Sequence, residues 1–316
     1  MLSRLPTTSW TRLRRAVAAR GFTPASWIPA ASEGRAEAAT IQPARLVEDR
    51  PLSGSSVGAA EPWTGTVAFL DGTQRYEVMA YAGASPVVVA EISAAVLERR
   101  SRQLHVARVD RHRLVIARPA VLAELDGAVA GHEAVPLPDT DPVHPVHDFL
   151  LARREVDRAR GQLEVLVGRS YRTISDAWLV VDGSLAESPQ WASDARMLGV
   201  SKSHATLPFE GPELEQYLRL PAGHRSPVFQ PAGHTVAPVY SWALRLWPWE
   251  GKDLLHGLVR VEAAATGATL AHADQLSRWL LAERAPVSTP DPRWDRLLYG
   301  IRAVEEYLRA SAPSEE

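Results

Sequence analysis

Two short apolar runs, Val67-Ala68-Phe69-Leu70 and Leu179-Val180-Val181, each lead into Asp-Gly, continued by Thr73 in the first and Ser184 in the second. The second run is apolar at every position, as a strand buried on both faces of a sheet must be. An aspartate at its end places an oxygen donor where ligands bind in open α/β sheets, and the following glycine lets a phosphate or another backbone come close. Two such ends can share one hard cation. For Asp71-Gly72 a second reading stands beside this one, because Asp-Gly between two β runs is also the preferred two-residue hairpin turn.

The surrounding pattern favours a mixed sheet. Alternating residues predict strands at Thr66–Leu70, Tyr76–Tyr81 and Pro86–Ala90. A further pair, Leu104–Val109 and Leu114–Ala117, flanks a turn at Asp110-Arg111-His112-Arg113. After Pro136, Pro138, Pro142 and Pro145 the period becomes helical from Val146 to Gly168. Strands are then expected at Met197–Val200, Val239–Leu246 and Gly257–Ala263. Helices follow over Leu270–Ala285 and Trp294–Ala310, separated by Pro286, Pro290 and Pro292. Antiparallel strands followed by alternating helix and strand make an α/β domain. Residues 31–60, rich in Ala, Ser, Gly and Pro, read as a linker, which divides the chain into a basic arm and linker (1–60) and a folded domain (61–316).

Composition narrows the chemistry. With no cysteine among 316 residues there is no disulfide framework, thiolate nucleophile or Cys-type zinc site, in keeping with a reducing, cytoplasmic setting. No apolar run approaches the roughly 20 residues of a membrane span, so no membrane association is expected. The net charge of −2 excludes a generally basic coat, yet arginine is locally clustered. Arg4, Arg12, Arg14, Arg15 and Arg20 all precede the first acid, Glu33. Such a start reads either as a basic helix that docks on nucleic acid or a partner, or as a transit segment.

Candidate ligands accompany the two aspartates. Glu155 and Glu164 share the helix before Asp182 but lie nine residues apart, on different faces, so only one can meet the same cation. Glu155 sits in a charge run typical of a solvated face, whereas Glu164 between Leu163 and Val165 suits a half-buried place beside the sheet. His272, near the start of a helix among small residues, suits metal ligation or proton transfer, and Asp274 beside it suits the helix's first turn. Lys202, His204, Arg225 and Arg260 are candidates for meeting a phosphate. The set has the composition needed for metal-assisted phosphodiester hydrolysis. No Walker-type loop, Gly-x-Ser-x-Gly elbow or His-Glu-x-x-His segment points to another chemistry.

The order of motifs resembles the NurA nuclease family. An early strand ends in Asp71-Gly72-Thr73, a helix bears Glu164 or Glu155, and a second strand ends in Asp182-Gly183-Ser184-Leu185. A lysine motif, Ser201-Lys202-Ser203, and a late Ala271-His272 follow. The resemblance spans about residues 65–310 and implies a ribonuclease-H-like mixed sheet flanked by helices. It further implies Mn²⁺ or Mg²⁺ as cofactor, with Asp71, Asp182, Glu164 and His272 as metal ligands and Lys202 in the catalytic set. It implies DNA as substrate, a homodimer, and a HerA-like hexameric ATPase as partner, in DNA end processing and repair or in antiphage defence. A non-catalytic adaptor of the translocase is the alternative from another functional class.

Overall fold

The computed structural model describes residues 8–24, 40–100, 103–139, 142–202, 204, 206–232, 237–250, 254–284 and 298–311. Its spine is a meander of three long strands, β1 (Val67–Ala82), β2 (Ser85–Arg100) and β3 (Gln103–Ala117). A short β4 (Glu133–Pro136) runs parallel to β3. The long helix α2 (Pro145–Arg172) then carries the chain across one face of the sheet. It leads to β5 (Trp178–Asp182) and β6 (Met197–Ser201), which lie parallel to one another, β5 also parallel to β1. Two antiparallel strands, β7 (Val239–Arg245) and β8 (Leu258–Ala264), complete the order β7-β8-β6-β5-β1-β2-β3-β4. A three-stranded meander extended by parallel strands beyond its first member is the ribonuclease-H-like arrangement, as expected.

Two expected turns are absent. β1 continues through Asp71-Gly72, which pair with Ala95 and Ala94 of β2. β3 likewise continues through Asp110–Arg113, opposite Ala94, Ser93, Ile92 and Glu91. Ladder partners outweigh local turn preference in both places. The hairpin reading of Asp71-Gly72 therefore fails, and the chain turns instead near Gly83, whose φ of 62° suits glycine.

Strand alternation sorts the core onto two faces. Ala68, Leu70, Leu179 and Val181 meet Phe149, Val156, Leu163 and Val167 of α2. Val67, Phe69, Val180 and Val261 meet the other face, covered by α3 (Gly267–Ala282) and α4 (Tyr299–Ala310) through Leu276, Leu280, Ile301 and Val304. Gly300 lets α4 lie directly on β1, since a Cβ there would come within 2.3 Å of the Phe69 ring.

The described parts of 1–60 are joined to this body. The helix α1 (Thr8–Ala19) buries Leu13 and Val17 against Val87, Val89 and Val115. Of the expected linker, Arg45–Leu46 pairs with Phe229–Gln230 and Ser55–Ser56 with His224–Arg225. Glu48 fixes this stretch by accepting from both guanidinium amino groups of buried Arg225 and from the Val228 amide. Trp294 and the three separating prolines lie outside the described residues. Among the described residues no helix is long and apolar enough to cross a membrane.

Candidate carboxylate centre

The last paired rung between β1 and β5 is Leu70 with Val181. The next residue on each strand is Asp71 and Asp182, so the two carboxylates leave adjacent parallel strands, about 4.8 Å apart, at the same level. Asp71 lies within β1 rather than at its end; what ends beside it is the pairing with β5. On the third parallel strand Val200 pairs with Asp182. Lys202 emerges just beyond and brings Nζ to 3.2 Å from Asp182 Oδ2.

Glu164 reaches the same point from α2. An added Cβ at Gly72 would lie 2.3 Å from Glu164 Oε1, so the glycine leaves the space that the carboxylate occupies. The second Asp-Gly has a different cause: Gly183 takes φ 127°, a conformation side chains rarely adopt, and its amide donates to the Val200 carbonyl. Leu163 and Val167, buried on either side of Glu164 along α2, hold the helix against the sheet.

The centre is rich in buried negative charge. Burial pushes Asp71 up to about 8, and the charges of Asp182 and Glu164 add to the effect. Its Oδ1 accepts from the Gly72 amide at 2.7 Å, and Lys202 opposes the rise. Glu164 rises to about 7, again chiefly through burial, with Asp182 and Glu187 adding to the rise. Arg160, one turn before it, donates to Oε1 and limits that rise. A cleft of about 650 Å³ opens on this group, lined by Arg160, Glu164, Asp182, Ser184, Glu187 and Trp191.

Four of the sequence candidates thus come together: Asp71, Asp182, Glu164 and Lys202. Glu155 does not join them, being turned to Arg158 at 2.6 Å on the outer side of the helix. His272 does not join them either. It is exposed on α3, its Nδ1 2.8 Å from the Ala268 carbonyl, and it is α4 rather than α3 that lies against β1. Asp274 is engaged with Arg225 and Arg50, so Arg225 is a buried structural cation rather than a phosphate contact. His204 is held down by burial and faces the Leu258 carbonyl, and Arg260 lies 3.4 Å from Glu262.

Two residues at the cleft escaped the sequence reading. Glu187 carried a usable signal: Ser184-Leu185-Ala186-Glu187 has the spacing of a capping box, and Ser184 Oγ accepts from the Ala186 amide as the N-cap of a short turn. Arg160 lay in a run of arginines, and its signal was the i,i+4 spacing to Glu164 on one helix.

The donor set suits a hard divalent cation: two strand aspartates and a helix glutamate close together, Asp71 and Glu164 pushed toward their neutral forms chiefly by burial. Among the described residues no three His, Asp or Glu groups already converge in metal-ligand geometry. Glu164 is turned to Arg160 and Asp182 to Lys202, and both would have to swing from these partners to share a cation.

No family model matches the chain, and no curated protein matches it in sequence. Among solved structures it is similar to the NurA nuclease from Sulfolobus solfataricus, with a TM-score of 0.50 at 12% identity over 82% of each chain. Human ENDOV overlaps more loosely, with a TM-score of 0.34 at 15% identity over 78% of this chain and 85% of that one. The chain therefore has a NurA-like nuclease fold.

Proposed function

We propose that this chain is a metal-dependent deoxyribonuclease of the NurA type, hydrolysing phosphodiester bonds at the centre formed by Asp71, Asp182 and Glu164. The observation that carries this reading is the convergence of two Asp-Gly aspartates and a helix glutamate at one level of a NurA-like sheet. Mn²⁺ or Mg²⁺, held by these carboxylates, would supply an activated water and positive charge at the phosphate. Lys202, 3.2 Å from Asp182, would neutralise a phosphate oxygen once Asp182 turns from it. Arg160 limits the rise of Glu164 and orients it until the substrate phosphate competes for its guanidinium. Because Asp71 and Glu164 titrate near neutrality, cation binding releases protons and strengthens as pH rises through 7 to 8.

The proposed setting follows from the family resemblance: a cytoplasmic homodimer working with a HerA-like hexameric ATPase on DNA ends, in repair or in antiphage defence. Co-purification with such an ATPase and light scattering of the isolated chain test partner and dimer separately. The activity itself is tested on end-labelled linear DNA in Mn²⁺, Mg²⁺ or EDTA, with and without the ATPase. Metal-dependent loss of label that Asp182→Asn lacks supports the reading. Silence in every lane overturns it in favour of an adaptor.

A further inference from the structure

Val259 and Val261 of β8 face the side of the sheet that α3 covers, so alternation turns Arg260 and Glu262 to the other side. Arg260 stands opposite Ser201 of β6 and Ala243 of β7, well inside the sheet. Glu262 is engaged there: its Oε2 accepts from the Ser184 hydroxyl at 2.7 Å and from the Leu185 amide at 2.9 Å, which fixes the turn after β5. Arg260 is only half engaged. Its Nε lies 3.4 Å from Glu262 Oε1, yet both atoms are buried without a hydrogen bond. Among the described residues the rest of its guanidinium has no hydrogen-bond partner either, although the side chain is only 17% exposed.

Arg260 lines a pocket of about 290 Å³, together with Gln42, Thr206, Pro208, Ser184 and Glu187. Ser184 and Glu187 also line the cleft at Glu164 and Asp182, so pocket and cleft are neighbours. We propose that this pocket binds a phosphate monoester, the group carried by the end of a nucleic-acid strand or by a free mononucleotide. The site goes beyond the carboxylate centre, because it needs neither those carboxylates nor a cation.

The donors define the ligand class. A guanidinium held in a largely buried place with its fork unpaired is costly, and a phosphate that meets it through two oxygens satisfies it. The Thr206 hydroxyl and the Gln42 amide offer further donors for the third terminal oxygen, which a monoester has and a carboxylate or an internal diester lacks. A space of about 290 Å³ is at the small end of ligand pockets and suits one terminal group rather than a length of strand. Pro208 gives the pocket an apolar wall on which a sugar can rest. Glu187 is exposed, so solvent screens its charge from the pocket.

The test measures binding of thymidine 5′-monophosphate and of thymidine by calorimetry in EDTA, so that no metal holds the phosphate. Competition by dT4 with a 5′-phosphate, with a 3′-phosphate or with hydroxyl ends identifies the source. The variants are Arg260→Gln and Gln42→Glu, the second placing a negative charge at an exposed lining residue that leaves the core untouched. Wild type should bind the monophosphate about tenfold tighter than thymidine, and each variant should lose about tenfold for the monophosphate alone. Competition by a phosphorylated dT4 assigns the pocket to strand ends, and competition by no dT4 assigns it to free nucleotide; either supports a monoester site. No binding of the monophosphate, equal affinity for thymidine, or unchanged affinity in Gln42→Glu overturns it, as does displacement by hydroxyl-ended dT4 equal to that by the phosphorylated strands. Because every measurement is made without metal, failure of the nuclease reading in the cleavage assay and failure of this site are separate results.

Discussion

Asp71→Asn should make the metal-free protein more stable, by an amount set by pH. The aspartate is buried beside Asp182 and Glu164, and its acid constant rises from 3.8 to about 8 on folding. A group raised in this way contributes stability that is fully present below pH 3.8 and is lost as pH climbs through 8. At pH 7 roughly three units of that rise are in force, a cost of about 4 kcal/mol at about 1.4 kcal/mol per unit. Asparagine keeps the shape and the acceptor for the Gly72 amide but carries no charge. In EDTA the variant should match wild type at pH 4 and melt about 6 °C higher at pH 7. Mn²⁺ should then stabilise wild type much more than the variant. Thermal denaturation followed by circular dichroism from pH 4 to 9 checks this. A variant less stable than wild type at pH 8, or a difference independent of pH, would refute a charge-starved centre.

Three further outcomes follow from the same geometry. Gly72→Ala should keep the fold, yet lower DNA cleavage on the order of a hundredfold, because the new methyl group displaces Glu164; the check is cleavage alongside a circular dichroism melt. Arg225→Ala removes the partner of Glu48 and Asp274 and should cost about 3–5 kcal/mol in urea unfolding, with kcat unchanged where the protein remains folded. His272→Ala, on an exposed face of α3, should leave cleavage within about threefold of wild type, and a loss on the scale of the hundredfold expected for Gly72→Ala would place it at the centre after all.

Much of this was legible in the sequence because local pattern and tertiary structure agree there. Leu179-Val180-Val181 is apolar throughout and is a central strand, and the α2 helix follows its 3.6-residue period from Phe149 to Val167. Asp182 accordingly stands at the end of β5 and Glu164 is buried on α2. The length of β1 and β3 was hidden, because their polar middles look like turns until β2 supplies ladder partners on both sides. Gly72 looked like turn chemistry for a related reason: what it accommodates, Glu164, is 92 positions away in the chain. His272 and Arg225 had plausible neighbours in sequence, but sequence adjacency does not say which sheet face a helix covers or which cation a buried Glu48 has claimed. The segment 40–57 read as linker because its contribution is paired backbone and one carboxylate rather than a periodic apolar face.

The claim that Asp71 and Asp182 serve one reaction centre is tested most directly by single-turnover cleavage of end-labelled single-stranded DNA in Mn²⁺, using Asp71→Asn, Asp182→Asn and the double variant. Residues acting as a unit lose their function together, so each single variant should lose about as much rate as the double, on the order of a thousandfold or more. Losses that multiply independently in the double variant, or wild-type rates in either single one, would contradict it.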